Sequence, residues 1–363
     1  MTVDAASETR RWAAGLSQDA QLVEGPLEGY HHEAYAFPLP TENPLADRFQ
    51  RGKVRSPRPG LLWFDRRFFA SEDRLLIALH GRISRIPECC EIAPDVCLQG
   101  FIEGRTLGSR PFANRPLDDR HLQQLGRLFA ELAAIGPDEL EAGLGGSRAD
   151  CPVDGDSAAF LSGLIHFTEY QVHRRHSDEF GALFRELGVP DDPLVTLRQA
   201  AEHLTPRPFT LLHADLHRNN LIVDSAGDLW TIDWELAMIG DPLYELATHV
   251  HLMRYSRKEA ARTTEVWQEA VERSRAGSSK GLEQDLPVLL AYKRVQSVIT
   301  DVIRTAVALT SREKPSWQSL PAAAWQVHYA LKAAAEPLGL SKVPTPWQVM
   351  AVYRHWLRAR SAP

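Results

Sequence analysis

Residues 211–223 read LLHADLHRNNLIV, and the chain comes back eight residues later as Thr231-Ile232-Asp233-Trp234-Glu235. Three apolar runs, Phe209–Leu212, Leu221–Val223 and Leu229–Ile232, alternate with polar segments, and Asp224-Ser225-Ala226-Gly227-Asp228 has the composition of a hairpin turn. The apolar runs predict short strands, and the polar residues stand at their ends. Asp215 and Asp233 are therefore expected to face one place from adjacent hairpin arms. Phosphoryl transfer needs such a pair: one Asp to take the proton of an attacking hydroxyl, and an Asn with a second Asp to hold magnesium on the phosphates. His213, Asp215, Leu216 and Asn220 fall at the spacing of the kinase signature H-R-D-L-x-x-x-N, and Asp233 follows where a second metal-binding aspartate is due. Oxygen ligands of this kind suit Mg²⁺. A rival reading takes His213-x-Asp215-x-His217 as a metal triplet for hydrolysis. It leaves Asn220 and Asp233 unused, and its only further candidate pair, His249-x-His251, diverges on a helix.

The stretch HADLHRNNLIV…TIDWE…GDPLYELA resembles the signature of the aminoglycoside phosphotransferase and choline kinase family, small-molecule kinases with a protein-kinase-like fold. The matching motifs span residues 211–247, with a weaker likeness through the first lobe to about residue 107. The resemblance implies that Asp215 is the catalytic base, that Asn220 and Asp233 hold Mg²⁺, and that Asp241 of Gly240-Asp241-Pro242 braces the catalytic loop. His213 is then a supporting residue and not a nucleophile. The fold class expected is α+β and two-lobed: a small β-rich N-terminal lobe over residues 1–103, with a hinge at about 99–103, and a larger mainly helical lobe over 104–363.

The first lobe has parts for a nucleotide site. Strands are expected at Gln21–Glu24 and His32–Phe37, around a turn whose Gly29, His31 and His32 would lie over the phosphates of ATP or GTP. Lys53 is the only lysine in the first 250 residues, among many arginines, and falls in Gly52-Lys53-Val54-Arg55, where a third strand is due. It is the candidate to pair the phosphates, with Glu72 as the helix glutamate that holds it. That helix is expected to run from Trp63 to Leu79. Gln99-Gly100-Phe101-Ile102-Glu103 resembles the hinge, with backbone groups near Gly100 and Ile102 meeting the base. No GxxxxGK[ST] loop and no G-x-S-x-G elbow occurs, and Gly143-Leu144-Gly145-Gly146 breaks the GxGxxG spacing.

Beyond residue 105 the apolar period becomes helical at Leu122, Leu125, Phe129 and Leu132, again over 157–177, and from Asp241 to the end. Two departures separate the chain from protein kinases. Ala214 replaces the motif arginine, and the few residues between Asp233 and Asp241 leave no room for an activation loop. A small acceptor is expected, with Asp215, Glu235, Glu245 and Asp301 as carboxylates for a cationic one. Trp234, Tyr244, His249, His251, Arg254 and Tyr255 are further candidates to reach it. The expected acceptor is an antibiotic of aminoglycoside or nucleoside type, inactivated by the transfer. A choline- or homoserine-like metabolite is the second reading, and a non-catalytic nucleotide-binding module the third.

The 363 residues are 24% charged and 44% hydrophobic with a net charge of −6, ordinary for a globular protein and without the basic excess that nucleic acid or a membrane surface would select. No run approaches a membrane span and the N-terminus lacks a secretion signal, so a cytoplasmic monomer or homodimer is expected. Cys89, Cys90, Cys97 and Cys151 form no CxxC pair and are expected to be reduced and buried.

Overall fold

The computed structural model describes residues 7–361 except 28, 30, 59–61, 95, 114, 141–151 and 311–317. Helix α1 (Glu8–Leu16) precedes strands β1 (His32–Pro38) and β2 (Arg51–Pro57), helix α2 (Glu72–Leu79) and strands β3 (Cys89–Ala93) and β4 (Val96–Gly100). The four strands form one antiparallel sheet in the order β1-β2-β4-β3. Alternation along β2 turns Gly52 and Val54 into a small core with Tyr35, Phe37, Leu39, Phe49 and Leu98, and leaves Lys53 and Arg55 together on the opposite face.

The short strands β5 (Arg105–Thr106), β7 (Leu221–Val223) and β8 (Leu229–Thr231) make a second sheet, and β6 (Thr210–Leu212) pairs only with β9 (Met238–Gly240). The three runs expected as short strands therefore fall in two sheets, β7 and β8 in one and β6 in the other. Strand β9, three residues inside an apolar run, carries no periodic signal, and neither does the two-residue β5. The turn at 224–228 closes as expected: Asp224 Oδ1 accepts the N–H groups of Ala226 and Asp228, and β7 and β8 pair from Leu221 to Leu229.

Helices α3 (Asp119–Ala133), α4 (Ser157–Phe167), α5 (Ser177–Glu186) and α6 (Val195–Ala201) precede β6; α7 (Pro242–Met253), α8 (Arg257–Ser274), α9 (Leu282–Thr310), α10 (Leu320–Ala333) and α11 (Pro346–Ser361) follow β9. The stripe Leu122, Leu125, Phe129 and Leu132 of α3 is buried, and Asp118 caps its first turn through the N–H of His121. Helix α4 stops at Phe167, ten residues short of the expected end, and one π turn and one 3₁₀ turn continue the chain to His176. The helical core is continuous with the buried side of α2, where Leu75, Leu76 and Leu79 pack into it. Among the described residues no helix is long and apolar enough to cross a membrane.

Two expectations for the first lobe change. Gln21–Glu24 is not a strand: Asp19 caps a 3₁₀ turn at Ala20–Leu22, and only Glu24 bridges to Ala36. The helix expected from Trp63 begins at Glu72, where Ser71 accepts the N–H of Arg74. The preceding segment is held open by long-range partners. Trp63 stacks on His31 with centroids 4.5 Å apart, Arg67 lies 3.9 Å over the Trp63 ring, and Asp65 accepts from Gln296 at 2.8 Å. Cys89, Cys90 and Cys97 are reduced but only half-buried, and Cys151 lies outside the described residues.

Candidate active site

A cavity of about 530 Å³ opens between the four-stranded sheet and the helical lobe. Lys53, Arg55 and Glu72 line it from one side, Asp215, His217 and Asp233 from the middle, and α9 from the other.

The loop after β6 carries Asp215 in a geometry set by its neighbours. Ala214 has φ 62°, left-handed for a residue with a side chain, and Asp233 across the hairpin has φ 66°. Such conformations cost of order 1–3 kcal/mol each and persist where surrounding contacts enforce them. The contacts are present: Glu245 of α7 accepts the Ala214 N–H at 2.8 Å, and His249, one helical turn on, bonds the Leu216 carbonyl at 2.9 Å. His213 is fully buried, with Nδ1 accepting the Asp215 N–H at 3.3 Å and Nε2 donating to the Ile232 carbonyl at 3.1 Å. Burial lowers its pKa to about 4, so the ring is neutral and acts as a spacer between the two arms.

The Asp215 carboxylate has two partners. Asn220 Nδ2 donates to its Oδ2 at 3.1 Å and to its main-chain oxygen at 3.0 Å. His217 Nε2 stands 3.5 Å from the same Oδ2, and His217 Nδ1 accepts the Asn219 N–H, which fixes the ring proton on the Asp215 side. Burial alone would depress the His217 pKa; the Asp215 carboxylate outweighs it and the pKa is raised. The triplet His213-x-Asp215-x-His217 therefore does not converge on a metal, because the two rings are committed to opposite sides. His249 and His251 also diverge, the second to Ser297 at 2.7 Å.

Asp233 faces the cavity, and burial with the nearby Glu72 and Asp215 carboxylates raises its pKa to about 6. Glu72, Asp233 and Glu235 each offer a carboxylate oxygen within 4.8 Å of the other two. Two of the three have cationic partners. Glu72 bonds Arg55 at 2.5 Å and Glu235 bonds Arg67 at 2.6 Å, with His31 and His32 each 3.5 Å from Glu235. Asp233 has no such partner among the described residues. An all-oxygen site around it fits a hard divalent cation.

Several sequence expectations shift here. Glu72 is given to Arg55, which also bonds Asp73 at 3.0 Å, and no carboxylate lies within 4 Å of the Lys53 amine among the described residues. Burial and the adjacent Arg55 lower the Lys53 pKa. The signal for Arg55 was in the sequence, two residues beyond Lys53 and so on the same strand face. Gly29, His31 and His32 line the cavity, while Glu28 and Tyr30 of that turn lie outside the described residues. Gly100 and Ile102 do not line it; the Gly100 N–H is taken by the Glu88 carbonyl at 2.8 Å.

Asp241 is fully buried, caps α7 through the Leu243 N–H at 2.9 Å and pairs with Arg207 at 3.3 Å. It makes no bond to the loop that carries Asp215 among the described residues; the direct braces are Glu245 and His249. Glu245 is thus a structural group outside the cavity, its pKa raised to about 7 by burial. Asp301 turns to Gln326 of α10 at 3.0 Å. Trp234, Tyr244, His249, His251, Arg254 and Tyr255 do not line the cavity either, whereas Lys293, Gln296, Ser297, Thr300 and Arg304, unflagged by the sequence reading, do.

A model of the phosphotransferase enzyme family matches residues 47–277, well over half the chain. No curated protein sequence matches. Among solved structures, a choline/ethanolamine kinase family protein from Mesorhizobium loti aligns with TM-score 0.50 at 16% identity, covering 96% of this chain and 98% of its own. A macrolide 2′-phosphotransferase from Brachybacterium faecium aligns with TM-score 0.52 at 16% identity, covering 92% and 98%. An ethanolamine kinase from Plasmodium vivax gives 0.50 at 11%, covering 93% and 84%. At such identities these likenesses carry the fold alone. The match over residues 47–277, which contains Lys53, Asp215, Asn220 and Asp233, establishes that this chain belongs to the phosphotransferase enzyme family.

Proposed function

We propose that the chain moves the γ-phosphoryl group of ATP or GTP, with Mg²⁺, to a hydroxyl of a small molecule. The observation that carries this reading is the Asp215 carboxylate, oriented by Asn220 and His217 and lining the same cavity as Lys53 and Asp233. Asp215 accepts the proton of the attacking hydroxyl; its two donors fix which oxygen is presented and leave the other toward the substrate. Lys53 neutralises the nucleotide phosphates. Burial would raise the Glu72 pKa, but Arg55, with Lys53 and a backbone N–H adding to it, lowers it, so Glu72 stays ionised on Arg55. Asp233 with Asn220 would hold Mg²⁺, which when bound neutralises charge on the phosphate oxygens.

Of the acceptors expected from sequence, a polycationic aminoglycoside or choline is least suited. Glu235 is paired, and Glu245 and Asp301 do not reach the cavity. An antibiotic remains in this reading as a neutral or anionic hydroxyl compound.

The test is mass spectrometry of purified protein with Mg²⁺, ATP and GTP over a panel of antibiotics and metabolites, with nucleotide products followed in the same run. A phosphoryl mass gain, or slow Mg-dependent hydrolysis that Asp215→Ala removes, upholds the reading; nucleotide left intact under all conditions overturns it. Asp233→Asn is expected to weaken Mg-dependent nucleotide binding by at least about tenfold, the scale at which even supporting groups of metal sites act. Titration calorimetry with and without Mg²⁺ checks this. Lys53→Ala is expected to lower kcat/KM for nucleotide by about 10²-fold, as for loss of one charge-stabilising donor. Wild-type kinetics in that variant would pass the role to Arg55.

A further inference from the structure

The wall of the cavity opposite Lys53 is one stripe of α9: Lys293, Gln296, Ser297, Thr300 and Arg304 line it at spacings of three, four and seven residues and then eleven. These positions share a helix face, and the stripe is about 16 Å long at 1.5 Å per residue. Cations stand at both ends and no acid lies on it. Three of the five carboxylates lining the cavity, Glu72, Asp65 and Glu235, have arginine partners. Arg55 is bonded to Glu72, Arg304 lies 3.7 Å from Asp65, and Glu235 is held by Arg67. That leaves Asp215 and Asp233, given above to the acceptor hydroxyl and the metal, and two amines, Lys53 on the nucleotide side and Lys293 on the far side.

Lys293 is only 6% exposed, and its Nζ donates to the Tyr244 hydroxyl at 3.3 Å over a ring whose centre is 5.3 Å away. No carboxylate lies within 4 Å of it among the described residues. A lysine ammonium removed from water needs a counter-charge or a full set of acceptors, and one phenol oxygen satisfies one of its three donors. The remaining donors have the cavity before them. Lys293 and Arg304 also lie beyond residue 277, outside the part of the chain that matches the family. The transfer machinery and this stripe are therefore separate pieces of sequence.

Resting on the phosphotransferase reading above, we propose that the acceptor is an anion: a hydroxyl-bearing small molecule whose carboxylate or phosphate group sits on Lys293, with Gln296, Ser297 and Thr300 along its polyhydroxyl body. Its hydroxyl transfers a proton to Asp215 as oxygen attacks the γ-phosphorus, and the bond from that phosphorus to the bridging oxygen breaks to release the nucleoside diphosphate. Both carboxylate and phosphate present the same oxyanion to the ammonium, so the two sources are separated by experiment.

Thermal shift of the full chain with Mg²⁺ and ADP is the first measurement. The probes are D-gluconate against D-gluconamide, glucose 6-phosphate against glucose, and choline and kanamycin as cations. One or both anions are expected to raise Tm, with at least about tenfold weaker half-saturation by the neutral counterparts and none by the cations. Gluconate alone identifies a carboxylate, glucose 6-phosphate alone a phosphate. Lys293→Met should remove the anion response. The proposal is overturned if neither anion binds better than its counterpart, if a cation binds better than both, or if Lys293→Met leaves the anion response intact. Should that variant not fold, the paired wild-type comparisons still decide. The nucleotide assay with Asp215→Ala runs separately: anion binding with nucleotide left intact and no phosphoryl gain would remove the kinase reading and the acceptor role, and leave the anion site on Lys293 standing.

Discussion

Asp215→Ala is expected to lower phosphoryl transfer by about 10³-fold or more, within the range by which a positioned general base acts, while nucleotide affinity falls by less than about threefold. The asymmetry follows from placement. Asp215 is proposed to meet the acceptor hydroxyl, whereas the groups proposed for the nucleotide, Lys53 and Asp233, stand on other elements and keep their contacts when the side chain goes. Asn220 retains its bond to the main-chain oxygen of residue 215 at 3.0 Å, so the loop is not released by the truncation. His217 loses its partner, and its raised pKa should fall back with it. Steady-state transfer and calorimetric nucleotide binding, measured on the same preparation, check both halves. Turnover within tenfold of wild type would remove Asp215 from the chemistry.

The largest effect on stability is expected at Arg207. Its side chain is fully buried, bonded to Asp285 of α9 and 3.3 Å from Asp241 at the start of α7. Arg207→Ala leaves two buried carboxylates without their cation, and removing one member of a buried ion pair typically costs about 3–5 kcal/mol. Urea denaturation followed by tryptophan fluorescence gives the shift in midpoint, and a loss below about 1 kcal/mol would mean the carboxylates find water or protons instead. The replacement should also impair catalysis in molecules that stay folded. Asp241 caps α7, and α7 supplies Glu245 and His249 to the loop that carries Asp215. Loosening the cap relaxes two braces at once.

Arg207 illustrates where the sequence was silent. Asp241 stands out in Gly240-Asp241-Pro242, but its partner lies in a Pro-flanked segment with no motif around it. Of the four candidate acceptor carboxylates, Glu245 and Asp301 miss the cavity and Glu235 lines it already paired, for a related reason. Their residue type is right, yet Glu235 is claimed by Arg67, 168 positions away, and Asp301 by Gln326 on the next helix. The early helix was misplaced because Trp63 to Arg67 has apolar spacing adequate for a helix, and only its distant partners hold it extended.

What the chain's order alone determined was the grouping proposed as the transfer centre: His213, Asp215, Asn220 and Asp233 sit within 21 residues, on two arms of one hairpin. Strand alternation, the tight turn and the short connections leave few ways to arrange them, so spacing implied proximity. The two-lobed class followed from the change of apolar period at residue 105. The tertiary structure decided the long-range pairings: Arg55 with Glu72 in place of Lys53, Glu245 in place of Asp241 against the loop, and the polar face of α9 across from the sheet. Gln296 meets Asp65 over 231 residues. Contacts at that separation depend on which faces of distant elements are pressed together by burial of their apolar sides, and the polar residues that meet there carry no local signature of their partners.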